Sequence, residues 1–307
     1  MNKKATFGPA GNSLSFAAAG GKSTLQAPAF VASLGLDRYE YQGGNGIRGS
    51  EEGFRKLGEA ARANGITLSV HAPYYISLSG VDPEKRLHSL VYIQQSVDAA
   101  AAMGADIIVV HAGSAAKISR EEAMRLAADT LYKALETVNN PAGVRIGVET
   151  MGKLNQLGTI EEVIELCKLG GTLSPVVDFG HVNCRELGAA FKTKDDYRRV
   201  FDRIGETLGD SYARDLHCHF SKIEYTDKGE KKHLTFEDDK FGPPYEPFAE
   251  AIAEYGLTPS IVCESDGTQA EDALALKTLT EQLLCTNPYN GGAALRNSTQ
   301  ARGEKCE

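Results

Sequence analysis

The feature that most constrains this chain is a recurrence: short apolar runs that end in a side chain able to hold a metal ion. Pro175-Val176-Val177 runs into Asp178, and His181 follows one helical turn later. Comparable runs close on His71, His111, Glu149, His217 and Glu264. Runs this short and this apolar read as strands buried on both faces, the mark of a parallel sheet covered by helices. A carboxylate at the end of such a strand is costly to bury unless something pairs with it. In parallel α/β folds, that end is where ligands and metals gather.

Helical segments separate the runs. One spans from Ser50 to the Asn64-Gly65 stop, and others are predicted over 83–103, 119–138, 159–169, 194–208, 245–255 and 269–285. Ser50, Ser119 and Thr159 stand as N-caps, with Glu122 and Glu162 at the third helical position. Earlier strands at 5–10 and 36–41, with a helix at 24–34, complete eight strand–helix units. The six tips lie about 39 residues apart on average, and a (β/α)8 barrel of about 250 residues is built from units of that size. A doubly wound open sheet is the alternative, but it would not set a potential ligand on every successive tip. The expected fold is therefore a (β/α)8 TIM barrel forming a single domain over 1–286. A polar loop is expected at 222–244, and a tail without periodicity, rich in Gly, Asn and Ser, at 287–307.

The net charge of −8 supplies no global basic field for nucleic acid, so any DNA contact would rely on a local patch or on bound cations. Six cysteines, Cys167, Cys184, Cys218, Cys263, Cys285 and Cys306, form no CxxC pair and read as free thiols in a reducing cytosol. No apolar run follows Met1-Asn2-Lys3-Lys4, and no stretch is long enough to span a membrane, so a cytoplasmic, soluble protein is expected. A monomer is expected as well. Gly20-Gly21-Lys22-Ser23-Thr24 fails as a phosphate-binding loop because Phe16 stands where the pattern needs glycine.

Imidazoles and carboxylates together suit Zn²⁺, Mn²⁺ or Fe²⁺. A lone histidine at a strand end is more commonly structural. Six tips in register weigh against that, because carboxylates crowded at a barrel mouth repel unless cations intervene. With His181 and His233 added, the set exceeds one ion's needs, and two or three ions sharing carboxylates are expected. His217 and His219 share a strand face, and either can be the ligand. His88, within a helix, reads as a surface or packing residue.

The ordered set His71-Ala72-Pro73-Tyr74-Tyr75, His111-Ala112-Gly113-Ser114, Val148-Glu149-Thr150, Asp178-Phe179-Gly180-His181, His217-Cys218-His219-Phe220-Ser221-Lys222 and Val262-Cys263-Glu264 resembles endonuclease IV. That family is the apurinic/apyrimidinic endonuclease group within the xylose-isomerase-like barrels. The resemblance, over residues 5–286, implies up to three zinc ions and a DNA substrate containing abasic sites. His71, His111 and Glu149 would hold the first ion. Glu149, Asp178, His217 (preferred over His219 on the motif) and Glu264 would hold the second. His181 and His233 would hold the third, with an aspartate two residues before His233. Here the chain departs, because that position is Lys231; Asp227, Glu230 and Asp238 are the nearby replacements. Glu149 and Glu264 would be catalytic, and Tyr74 and Tyr75 would enter the duplex. Lys222, a candidate for substrate binding, makes with Lys228, Lys231 and Lys232 a local basic strip beside the site, and Arg48 is a weak candidate for a second inserted side chain. The rival implied by the wider barrel set is a sugar isomerase or epimerase using one metal on Glu149, Asp178, His217 and Glu264.

Overall fold

A computed structural model describes residues 4–286. Eight parallel strands form the central sheet: β1 (Thr6–Pro9), β2 (Arg38–Gln42), β3 (Thr67–His71), β4 (Ile107–His111), β5 (Arg145–Glu149), β6 (Leu173–Asp178), β7 (His217–Phe220) and β10 (Ser260–Cys263). They follow one another in chain order, with β10 between β7 and β1. A parallel bridge between Ala10 and Glu40 brings β1 against β2 and the sheet round to near closure. This is the (β/α)8 barrel that the repeated units imply.

Strand alternation divides the sheet's side chains between two cores. Ile108, Val110, Ile146 and Val177 face outward into the large core beneath the helices. Ile107, Val109 and Val176 form a separate small cluster inside the barrel. Gly147 lines that interior because a Cβ there would lie 2.5 Å from Val176 Cγ2. The period of two along β4, β5, β6 and β7 therefore carries His111, Glu149, Asp178 and His219 to the inner face at the mouth. Behind β6 and β7, Phe179, Phe191, Tyr197, Phe220 and Phe248 are fully buried and in ring contact, which fixes the backbone that presents Asp178.

The Ser50 and Ser119 hydroxyls accept from Gly53 and Glu122 backbone N–H groups, and Thr159 with Glu162 forms a capping box, as the sequence predicts. Elsewhere the structure differs from expectation. Residues 24–34 are a 3₁₀ turn, Thr24–Gln26, and then a helix, Ala27–Ser33. The Ser23–Gln26 capping box and Pro28 start the chain afresh there. The supposed loop 222–244 contains an antiparallel hairpin of β8 (Lys222–Thr226) and β9 (Gly229–Leu234). A short helix, Phe179–Arg185, follows β6 directly, capped by the Asp178 carboxylate, which accepts from the His181 N–H at 2.7 Å. The tail 287–307, with Cys306, lies outside the described residues. The other five cysteines are free thiols. No helix among the described residues is long and apolar enough to cross a membrane.

Closure depends on Gly8, whose missing side chain lets β1 lie against β2: a Cβ there would sit 1.7 Å from the Arg38 carbonyl oxygen. Gly8→Ala should therefore destabilise the fold by about 3 kcal/mol, measured as a lower midpoint in urea unfolding. An unchanged midpoint would contradict this closure.

Candidate metal centre

Three clusters of potential ligands ring the mouth of the barrel, each with donor atoms within 4.8 Å of one another. In the first, His71 Nε2 and His111 Nε2 lie 3.6 and 3.5 Å from Glu149 Oε2. In the second, His219 Nδ1 lies 2.8 Å from Glu149 Oε1 and 3.4 Å from Glu264 Oε1, with Asp178 alongside. The third joins His181, Glu230 and His233, with His181 Nε2 3.6 Å from Glu230 Oε2. Glu149 belongs to two clusters, one through each oxygen.

Hydrogen bonds on the far side of the imidazoles aim them. His71 Nδ1 meets the Ala72 carbonyl and His181 Nδ1 the Thr150 carbonyl, each at 2.9 Å. His233 Nδ1 meets the Ser221 hydroxyl at 2.7 Å. A carbonyl can only accept, so His71 and His181 each donate Nδ1–H and turn Nε2 toward their cluster.

Two carboxylate oxygens, Glu149 Oε2 and Asp178 Oδ2, are buried with no hydrogen-bond partner. Such atoms are expensive unless a cation meets them. Burial, reinforced by Glu149 and Asp178, outweighs the nearby histidines and raises the Glu264 carboxyl. Burial also pushes Glu149 up, but the charge and hydrogen bond of His219, with His71, hold it well below the usual carboxylate range. Burial drives His111 down to about 3, so that ring is neutral and free to ligate near pH 7. The donor set fits divalent cations of the zinc, manganese and iron class.

The structure separates the two histidines of β7. Residues 217 and 219 both point inward, one pleat apart. The register pairs His219 with Asp178 and His217 with Val176, one layer deeper. His219, not His217, therefore joins Glu149, Asp178 and Glu264. His217 Nε2 instead faces Glu40 Oε2 at 3.0 Å. Glu40, fully buried, is the residue that sequence reasoning missed. A signal was present in Arg38-Tyr39-Glu40-Tyr41, where Arg38 and Glu40 share one strand face that barrel closure turns inward.

The hairpin supplies the carboxylate lost at Lys231. A register shift in the β8–β9 pairing falls opposite Glu224 and Tyr225, which pair with Lys232 and Glu230, so Lys231 is the extra residue of a bulge. Simple alternation would put Lys231 on the face of His233. The bulge puts Glu230 there and sends Lys231 outward to Glu224, 2.6 Å away.

Tyr74 and Tyr75 stand half-exposed at the mouth, Tyr74 in ring contact with His71 and His111 and Tyr75 with Tyr92. Lys222 turns away, its Nζ donating to the carbonyls of Phe236 and Asp238 and so tying down the loop beyond the hairpin. Lys232 also faces Glu224, at 3.9 Å, so Lys231 and Lys232 are not free cations. Arg48 donates to the nearby Asn45 carbonyl. His88 is exposed and meets Tyr92 edge-on, as expected of a surface or packing residue.

A sequence profile of the xylose isomerase-like TIM barrel family matches residues 28–282. The chain belongs to that family. An uncharacterised protein of Methanocaldococcus jannaschii is 26% identical over 276 residues, 90% of this chain and 97% of its own. A probable endonuclease 4 of Acholeplasma laidlawii is 30% identical over 167 residues, covering 53% of this chain and 56% of the relative. The match thus spans about half of that relative's length. Among solved structures, a D-tagatose 3-epimerase-like protein superposes with a TM-score of 0.66 at 20% identity, covering 91% of this chain and 97% of its own. Endonuclease IV from Thermus thermophilus superposes with 0.64 at 19%, covering 91% and 98%. At such identities the two structures show the shared barrel alone.

Two outcomes follow from this geometry. Burial lowers His181, but the charges of Asp178, Glu149 and Glu230 overcome it and hold the ring up at about 9. A cation entering that cluster must then displace a proton. Its affinity should climb by up to about tenfold per pH unit and level off above about 9. Calorimetric titration with Zn²⁺ checks this, and a flat profile removes His181 as a ligand. Separately, Glu230→Ala should lower metal content by about one ion per chain, whereas Lys231→Ala leaves it unchanged in elemental analysis.

Proposed function

We propose that this protein is a metal-dependent phosphodiesterase that cleaves DNA at abasic sites, in the manner of endonuclease IV. The observation that carries this reading is the division of Glu149 between two ligand clusters. His71, His111 and Glu149 on one side, and Glu149, Asp178, His219 and Glu264 on the other, would hold divalent cations, which would supply Lewis-acid charge for a phosphate displacement. The partial likeness to a probable endonuclease 4 points the same way.

The chain's own residues have distinct parts in this scheme. Glu149 sets the distance between the two clusters. Glu264, raised by burial first and then by its acidic neighbours, is the more basic carboxylate at the mouth and receives the proton of the attacking water. Tyr74 and Tyr75 offer exposed rings where a duplex would meet the mouth, and a missing base leaves a gap in which an aromatic ring can stack. With a net charge of −8, attraction for the phosphate backbone falls to the bound cations rather than to the protein surface.

The second reading, a sugar epimerase or isomerase, is favoured by one observation. Glu149, Asp178, His219 and Glu264 form a complete four-ligand site on their own, with two glutamates placed to move a proton. The remaining clusters of His71 with His111, and of His181 with Glu230 and His233, have no use in a one-metal reaction. Metal analysis separates the two readings: two or three ions per chain support the nuclease, one supports the epimerase.

The direct test is a duplex with a single abasic site. The protein should nick it, and a chelator should abolish the cut. Glu264→Gln should slow nicking by about 10²–10⁴-fold with an unchanged circular dichroism spectrum. Wild-type protein that leaves the duplex intact while epimerising a ketose would overturn the nuclease reading.

A further inference from the structure

Below the metal centre, on the barrel axis, Glu40 gathers four polar neighbours. Its Oε2 accepts from Ser69 Oγ at 2.9 Å and faces His217 Nε2 at 3.0 Å. Its Oε1 faces His219 Nε2 at 3.1 Å and accepts from Gln42 Nε2 at 3.3 Å. Glu40, Ser69, His217 and His219 are all fully buried. A carboxylate this deep is tolerable only when its lone pairs are met by donors. All four neighbours serve as donors only if both imidazoles turn Nε2–H toward Glu40. In His219, that choice makes Nδ1 the nitrogen open to a cation: without one it donates to Glu149 Oε1 at 2.8 Å, and with one its lone pair would be free toward the site of Glu149 and Glu264, whose Oε1 lies 3.4 Å away. In His217, it leaves Nδ1 as a buried nitrogen without a partner, as the structure shows.

We propose that Glu40 is a positioning residue: it holds His219 in the Nε2–H tautomer and so presents Nδ1 to the cation shared by Glu149, Asp178 and Glu264. His217 then serves as a further donor to Glu40 rather than as a ligand. The inference rests on the metal-centre reading above but not on the identity of the substrate. Glutamine in place of Glu40 keeps one acceptor oxygen, whose two lone pairs cannot meet Ser69 and both imidazoles, and turns an NH₂ group toward the rest, so one of these donors must turn or lose its bond.

The test uses the full chain loaded with Zn²⁺ and ¹⁵N-labelled at histidine. In the wild type, His219 should show a protonated Nε2 and a zinc-bound Nδ1 by NMR; the reverse assignment, or a protein that takes up no zinc, overturns the proposal. Glu40→Gln should bind zinc about 10–100-fold more weakly in competition with a chelator, with the His71 and His111 signals unmoved. Wild-type affinity in that variant also overturns it. His217→Gln preserves the bond between His219 and Glu40 and should keep wild-type affinity; a loss equal to that of His219→Gln makes His217 the ligand and defeats the proposal. A wild type that binds zinc as stated yet leaves abasic DNA intact sinks the nuclease reading and leaves this one standing.

Discussion

Burying Glu149 in the neck of a barrel creates a charge that must be met from every side, and much of the mouth is arranged around it. His219 approaches one oxygen, and His71 and His111 approach the other. A second buried carboxylate, Glu40, lies one layer down and grips the opposite edge of His219. Two glutamates thus hold one imidazole between them along the barrel axis. Neither carboxylate is tolerable alone in such a place, and together with the histidines they make a column of alternating acceptors and donors. This replaces part of the apolar filling that a barrel interior normally carries, of which Ile107, Val109 and Val176 form one small cluster.

The rim above that column is built by local devices of the chain. Asp178 ends β6 and caps the next helix with the same carboxylate, so the turn that follows delivers His181 beside it. A single extra residue in β9 brings Glu230 to the side of His233 where a lysine would otherwise stand. Both devices convert a short-range backbone rule, an N-cap in one case and a bulge in the other, into ligand geometry. The aromatic cluster around Phe179 holds the strand ends still behind them.

Much of this was legible before any coordinates. Apolar runs at regular intervals imply parallel strands under helices, and the polar residue ending each run implies a shared rim. His71, His111, Glu149, Asp178 and Glu264 follow from that pattern, and the structure brings them together. His219 escaped because His217 and His219 obey the same alternation; nothing in one strand says how high it rides against its neighbour. Glu40 escaped because the alternating charges of Arg38 and Glu40 read as an exposed face until the strand is known to line a closed interior. The hairpin at 222–234 escaped because its lysines and glutamates look like a solvated loop, while its pairing is with itself.

By itself, then, the sequence determined the number of units, the kind of fold and the chemistry available at the mouth, since each depends on patterns within a single strand or helix. Only the tertiary structure decided which oxygen meets which nitrogen. Register between strands, the slip in the hairpin and the depth of each layer arise from contacts between segments far apart in the chain, where local pattern carries no information.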